Sequence, residues 1–157
     1  MAISKIRDDL FITDITSVRT QSLNGIEADL VVNICGDSTA DNVGCDYQQF
    51  DIRDGTHTYD TFSEAVEAIL EAWSENKGVL VHCHAGQSRS VSASAAALSV
   101  DEDINLFDAY NRIRSERIIH PSPELTESAE RFVDDHDAGD TKNIKDILEE
   151  DRWALCK

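Results

Sequence analysis

Basic residues are scarce in this chain, and their scarcity excludes one large class of partners. The 157 residues include 14 Lys and Arg against 31 Asp and Glu, which gives a formal net charge of −17 at pH 7. Proteins that bind nucleic acid hold its phosphates mainly with clustered Lys and Arg. No such cluster occurs in this sequence, so we expect no nucleic acid among its partners.

Membrane and export signals are also lacking. No apolar run approaches the roughly 18 residues of a membrane-spanning helix, and the N-terminus shows neither a basic and apolar leader nor a lipidation motif. We therefore expect a soluble, cytoplasmic protein with no membrane partner. The sequence leaves its oligomeric state open.

Cysteine is sparse and shows no paired spacing. The chain contains four cysteines, Cys35, Cys45, Cys83 and Cys156. None belongs to a Cys-x-x-Cys pair, and without an export signal this predicts free thiols in a reducing compartment. Consecutive residues such as His82, Cys83 and His84 rarely point at one metal ion, so we expect neither a metal site nor a cofactor.

The most informative segment is residues 78–90, which reads GVLVHCHAGQSRS. Its apolar start predicts a short buried strand, and the small residues after Arg89 predict a tightly packed helix. A loop between a strand and a helix N-terminus directs backbone N–H groups at one point and favours an anion there. Cys83 is then favoured as a thiolate, and Arg89 offers a bidentate fork to phosphate oxygens. This predicts a phosphate-binding loop with its own nucleophile; the alternative is a buried, inert Cys83 beside a surface arginine.

The segment HCHAGQSRS resembles the signature of the dual-specificity members of the cysteine-dependent protein tyrosine phosphatases. The resemblance extends over roughly residues 8–135: residues 9–14 and 28–34 are similar to the family's first two strands, and residues 117–123 to the arginine-to-proline turn before its last helix. It implies the α/β cysteine-phosphatase fold, a central mixed sheet flanked by helices on both faces. The site would lie at the C-terminal end of the strand at residues 79–81.

The resemblance also assigns roles within the loop. Cys83 is the nucleophile, Arg89 stabilises charge on the phosphoryl oxygens, and Ser90 donates to the cysteine sulfur and eases its departure. His82 orients the loop through the backbone and is not a base. The phosphate-binding residues are His84, Ala85, Gly86, Gln87, Ser88 and Arg89.

The family needs a general acid, and the best-placed candidate is Asp54. Residues 47–53 read as a strand that breaks at Asp54-Gly55, a turn signal. An aspartate on a loop before the nucleophile matches the family's acid, which protonates the leaving oxygen. Asp51 is the competitor, but it lies in the strand-like part of this run. The alternative for either residue is an ordinary solvated charge.

The resemblance implies a protein phosphatase that hydrolyses phosphotyrosine and phosphoserine or phosphothreonine monoesters through a cysteinyl phosphate. Its partners would be phosphorylated proteins. A chain of 157 residues is too short for the deep tyrosine pocket of the larger members, and a shallower site would admit phosphoserine and phosphothreonine as well. One alternative is an RNA 5′-phosphatase or a phosphoinositide phosphatase of the same superfamily, yet the loop brings no fixed positive charge besides Arg89. The other is a non-catalytic phosphoprotein-binding module, disfavoured by the retention of Cys83, Arg89 and Ser90.

The remaining sequence predicts a catalytic domain over residues 1–136 and an acidic linker with a C-terminal helix over residues 137–157. A capping-box pattern places a helix start at Thr61, Asp103 is a candidate cap for a second helix, and Ser122-Pro123 has the order of a third helix start. Gly78 is placed to end the trailing turn of the first helix.

Two further expectations concern Cys35 and the acid excess. Cys35 follows the predicted strand at residues 31–34, where some lipid-directed members of the superfamily place a resolving cysteine, so the resemblance makes it a candidate redox partner of Cys83. The alternative is a buried, inert thiol. The excess of Asp and the few lysines resemble proteins of salt-loving organisms, and the alternative is an ordinary acidic protein.

Overall fold

The computed structural model describes residues 3–20, 23 and 25–136. Its five strands form one mixed sheet in the order β1-β2-β5-β3-β4. The strands are β1 Ser4–Arg7, β2 Leu10–Asp14, β3 Leu30–Asn33, β4 Asp46–Gln49 and β5 Val79–Cys83. Strand β1 pairs antiparallel with β2, and the other neighbours are parallel. The expected mixed sheet is therefore confirmed, with an edge strand β1 that the sequence did not predict.

Helices cover both faces of this sheet, as expected. They are α1 Ile15–Thr20, α2 Tyr59–Ser74, α3 Arg89–Glu102, α4 Leu106–Arg114 and α5 Pro123–Asp135. In β5, Val79 and Val81 belong to the main core beneath α2, α3, α4 and α5, whereas Leu80 belongs to a smaller cluster with Val18 of α1. This alternation follows from the two-residue period of a strand, and it buries β5 on both faces as a central parallel strand requires.

Helix α3 runs through the middle of the main core. Its residues from Ser90 to Ser99 are all buried, and most are alanine or serine. Small side chains let α2, α4 and α5 approach it closely. The buried hydroxyl of Tyr110 donates to Ser92 Oγ at 2.8 Å, so this polar contact inside the core is satisfied. The alanine-rich composition is thus explained by the central position of α3.

Two of the predicted helix starts are wrong and one is confirmed. Helix α2 begins at Tyr59, and the hydroxyl of Thr61 lies 2.8 Å from that of Thr58, so no capping box forms at Thr61. Helix α4 is capped by Asn105, whose side chain accepts from the Asp108 N–H. Ser122 accepts from the Leu125 N–H at 3.3 Å, which confirms the predicted start of α5.

Asp103 and Gly78 take other roles than those predicted. Asp103 adopts a left-handed conformation with φ of 53° and ends α3, a position that Asp tolerates better than most residues. Gly78 lies against the backbone carbonyl of Glu27, where a Cβ would clash. It therefore allows the close approach of the chain at the start of β5 and does not end α2.

Within the described ranges, no helix is long and apolar enough to cross a membrane. The predicted linker and C-terminal helix at residues 137–157, with Cys156, lie outside the described residues.

Candidate active site

Cys83 is the last residue of β5, and its sulfur lies at the base of the loop that leads into α3. The residue is 2% exposed. The Gly86 N–H donates to Cys83 Sγ at 3.3 Å, and Ser90 Oγ lies 3.2 Å from the same sulfur. The sulfur thus lies at the N-terminus of α3 with one backbone donor, and the Ser90 hydroxyl can serve as a second.

The loop turns sharply at Gly86 and is supported there by Arg117. Gly86 has φ of +69°, and a Cβ at this position would lie 2.6 Å from the Thr13 carbonyl oxygen, so only glycine fits. Arg117 Nε donates to the Gly86 carbonyl oxygen and Nη1 to the Ile12 carbonyl oxygen, each at 2.8 Å. The guanidinium thus ties the loop to β2.

Arg117 also brings a half-buried positive charge close to Cys83. Burial lowers the pKa of its guanidinium, while the Asp14 carboxylate and Cys83 oppose that shift. Arginine remains charged in proteins even so. The sequence singled out Arg117 only as part of a turn, and its contact with the loop was missed because it joins residues 31 positions apart.

Both predicted charged partners of Cys83 take part in hydrogen bonds between this loop and the segment that follows β4. Arg89 is the first residue of α3, and one of its N–H groups donates to the Ile52 carbonyl oxygen at 2.9 Å. Asp54 accepts a hydrogen bond from Ser88 Oγ at 2.7 Å. The structure therefore brings the Asp54 carboxylate directly onto the phosphate-binding loop.

Asp51 takes a different place. Strand β4 ends at Gln49, four residues earlier than the sequence suggested, so Asp51 and Asp54 both follow the strand. The Asp51 carboxylate faces Gly36, with Oδ1 3.2 Å from where a Cβ of that glycine would be. Of the two candidates, Asp54 is the one in contact with the loop.

His82 is buried beside the nucleophile in its neutral form. Its Nδ1 lies 3.3 Å from the Cys83 carbonyl oxygen, and its Nε2 lies 2.8 Å from Thr39 Oγ1. Because a carbonyl can only accept, Nδ1 is assigned the proton and Nε2 accepts from the threonine. Burial lowers the pKa of His82 to about 4. Both nitrogens are engaged, which suits an orienting role and not that of a base.

Two other loop residues, His84 and Ala85, are exposed at the protein surface. His84 Nε2 lies 2.9 Å from Asp37 Oδ2. The Gln87 carbonyl oxygen accepts from the His120 N–H at 2.8 Å. Within the described part of the chain, no cluster of His, Cys, Asp or Glu could hold a metal ion.

Cys35 lies just beyond β3, on the strand next to the nucleophile. Asn33 of β3 is opposite His82 of β5, and the Cys35 side chain is fully buried. Its Sγ lies 3.0 Å from Asn33 Oδ1. Burial raises the pKa of the Cys35 thiol, and the charges of Arg89 and Cys83 act on it as well. Cys83 is therefore close enough for its charge to affect the pKa of the Cys35 thiol.

Comparison with known proteins decides the family. The sequence model described as "Dual specificity phosphatase, catalytic domain" matches residues 10–130, which is more than half of the chain. The chain belongs to the dual specificity phosphatase family. Among curated relatives, "Dual specificity protein phosphatase 9" from Homo sapiens is 48% identical over 56 residues, which are 36% of this chain and 15% of that protein. The match thus spans well under two thirds of that relative's length.

Solved structures of dual specificity phosphatases and related enzymes share the fold. Human DUSP28 superimposes with a TM-score of 0.78 at 17% identity, over 88% of this chain and 97% of that chain. PTPMT1 in complex with PI(5)P superimposes with a TM-score of 0.70 at 19% identity, over 87% and 97% of the two chains. At these identities the likeness establishes the architecture, and the predicted cysteine-phosphatase fold is confirmed.

Proposed function

We propose that this protein is a phosphatase that hydrolyses phosphotyrosine and phosphoserine or phosphothreonine monoesters in proteins through a cysteinyl phosphate. The observation that carries the proposal is the arrangement around one loop. Cys83 Sγ receives the Gly86 N–H, and the Asp54 carboxylate is bonded to Ser88 of the same loop. The proposed nucleophile and the proposed proton donor are thus both hydrogen-bonded to the same loop.

In the first step the Cys83 thiolate attacks phosphorus and forms a phosphorus–sulfur bond. The bond between phosphorus and the ester oxygen breaks, and Asp54 gives its proton to that oxygen. Arg89 and the backbone N–H groups of residues 84–89 stabilise charge on the three remaining oxygens. Arg117 contributes by holding the loop in shape.

In the second step water replaces the cysteine. Asp54, now a carboxylate, takes a proton from the attacking water, and the phosphorus–sulfur bond breaks to release inorganic phosphate. The electron pair returns to sulfur, where the hydroxyl of Ser90, 3.2 Å away, donates to the re-formed thiolate. His82 fixes the end of β5 through its two hydrogen bonds.

A comparison of substrate classes tests this function. We expect turnover of phosphotyrosyl, phosphoseryl and phosphothreonyl peptides to exceed that of RNA 5′-phosphate and of a phosphoinositide in vesicles, because Arg89 is the only fixed cation within residues 82–90. Initial rates at equal concentration and fixed salt give the comparison. A higher rate on RNA or on the phosphoinositide would contradict the proposed preference for phosphopeptides. It would indicate the RNA or the lipid phosphatases of the superfamily instead.

The acid excess supports a second part of the proposal, that this is a cytoplasmic protein of a cell with high internal salt. The formal charge of −17 causes repulsion among surface carboxylates, and salt screens it over about 3 Å at 1 M. Repeating the peptide assay between about 0.1 and 3 M KCl should therefore raise activity and melting temperature. A flat or falling melting temperature would indicate an ordinary acidic protein.

We further propose that Cys35 protects Cys83 during oxidation. Peroxide oxidises the Cys83 thiolate to a sulfenic acid, and the Cys35 thiolate then attacks that sulfur, forming a disulfide and releasing hydroxide. The proposal is supported by their positions at the ends of the adjacent strands β3 and β5. Burial raises the pKa of Cys35, so the reaction should be faster at alkaline pH.

Oxidation in peroxide followed by mass spectrometry of non-reduced peptides tests this role. We expect a linked Cys35–Cys83 peptide and activity that returns with a thiol reductant, whereas Cys35→Ser should lose activity irreversibly to sulfinic acid. Cys45→Ser is the matched control, because Cys45 is an exposed free thiol and should respond like the original protein. Irreversible sulfinic acid at Cys83 without any linked peptide would contradict the role of Cys35.

A further inference from the structure

The loop that carries Asp54 is hydrogen-bonded to the rest of the protein at Asp54, at Ile52 before it and at Gly55 after it. The carboxylate of Asp54 is held by Ser88, as described above. The next residue, Gly55, has φ of +121°, a conformation that glycine adopts without strain. Its carbonyl oxygen lies 2.6 Å from His57 Nδ1, and His57 Nε2 lies 2.7 Å from Ser128 Oγ on α5. The imidazole therefore bridges the loop and α5.

The direction of the hydrogen bond to Gly55 follows from its partner. The Gly55 carbonyl can only accept, so Nδ1 is assigned the proton and donates. Nε2 then bonds to the hydroxyl of Ser128, a group that can donate or accept. One ring thus satisfies a loop carbonyl with one nitrogen and a helix side chain with the other.

The ring itself is fixed by the main core. Its centroid lies 6.0 Å from that of Phe62, with the planes tilted by 47°, and Phe62 is fully buried on α2. His57 is half-buried. It therefore contacts both α2, through Phe62, and α5, through Ser128.

We propose that His57 is a positioning residue for the general acid. It holds the Gly55 carbonyl in place, and this fixes the backbone position from which the Asp54 side chain extends. The inference rests on the proposed role of Asp54 and adds the group that holds it. Ser88 holds the carboxylate only through a rotatable side chain, and Arg89 holds the backbone two residues earlier, at Ile52. The His57–Ser128 bridge holds the backbone at the residue that follows Asp54. A misplacement of about 1 Å at a reacting group can cost on the order of a hundredfold in rate.

Three variants separate the hydrogen bonds from the packing of the ring. His57→Phe keeps an aromatic ring against Phe62 and removes both hydrogen bonds. His57→Asn keeps a donor near the position of Nδ1, and Ser128→Ala removes only the bond to α5. Thr56→Ala, an exposed neighbour in the same loop, is the matched control.

The measurement is kcat/KM for aryl phosphates with leaving groups of increasing basicity, because this constant reports the step in which the leaving group departs. We expect His57→Phe to lower kcat/KM about tenfold for basic leaving groups, the effect of roughly one well-placed hydrogen bond, and to leave acidic leaving groups near the original value. His57→Asn should recover most of the loss, Ser128→Ala should show a smaller loss of the same kind, and Thr56→Ala none. In an Asp54→Asn background, His57→Phe should have no further effect, because no proton donor remains to be positioned.

The results distinguish the failure of this inference from that of the proposed function. If Asp54→Asn shows no dependence on the leaving group, the assignment of the acid is wrong. If Asp54→Asn shows it but His57→Phe does not, the acid is correct and the positioning role of His57 is wrong. A loss in His57→Phe that is equal for all leaving groups, or that persists in the Asp54→Asn background, would indicate a purely structural role and would also overturn the inference.

Discussion

Replacing Cys83 with serine is expected to abolish turnover while leaving the fold unchanged. A serine hydroxyl must lose its proton to become a nucleophile. The groups beside the sulfur, the Gly86 N–H and the Ser90 hydroxyl, are donors that stabilise an anion. The nearby His82 has both ring nitrogens engaged. The expected loss in kcat is roughly four orders of magnitude or more, the scale seen when a nucleophile is removed.

Initial rates on a phosphotyrosyl peptide measure this loss, and the melting temperature checks the fold. The control is Cys45→Ser, which changes an exposed thiol in the same way and should retain full activity. Cys83→Ser should still bind the peptide, because Arg89 and the loop N–H groups remain. Residual activity above about a few per cent in the purified variant would contradict covalent catalysis by Cys83.

Asp54→Asn is expected to slow hydrolysis by roughly 10² to 10⁴-fold for alkyl and weakly acidic aryl leaving groups, which need a proton as they depart. Leaving groups acidic enough to depart as anions should be affected less. The amide can still accept from Ser88 Oγ, which is now bonded to Asp54 at 2.7 Å, so the loop should keep its place. A plot of kcat/KM, which reports the step in which the leaving group departs, against the pKa of the leaving group shows the difference.

Asp51→Asn is the matched control for this prediction. It removes the same charge three residues away, from a carboxylate that faces Gly36 and does not contact the loop at Ser88. We expect nearly unchanged rates across the same leaving groups. The opposite pattern, with a strong dependence in Asp51→Asn and none in Asp54→Asn, would transfer the role of acid to Asp51.

Local sequence was enough to predict the loop because all of its parts are adjacent in the chain. The strand that ends in Cys83, the turn at Gly86 and the helix that begins at Arg89 lie within eleven residues, Val79–Arg89. Each is dictated by short-range rules of hydrophobic pattern, glycine conformation and helix termini. The start of α5 at Ser122-Pro123 was predictable for the same reason.

Contacts between distant segments could not be predicted in this way. Ser88 bonds to Asp54 across 34 positions, and His57 bonds to Ser128 across 71. Nothing near His57 in the sequence distinguishes it from an ordinary surface histidine. The capping errors have a related cause: Asp103 and Thr61 are good caps by residue type, but the geometry of the chain placed Asn105 and Thr58 at the helix starts.

The most direct test of the account is detection of the phosphorylated enzyme during turnover. Asp54→Asn with an aryl phosphate of acidic leaving group should form the intermediate quickly and hydrolyse it slowly, because the second step lacks its base. After rapid acid quench and proteolysis, we predict one phosphoryl group on the peptide that contains Cys83, absent in the Asp54→Asn, Cys83→Ser double variant. Continued turnover with no phosphoryl group on Cys83, or with the group on another residue, would contradict the account.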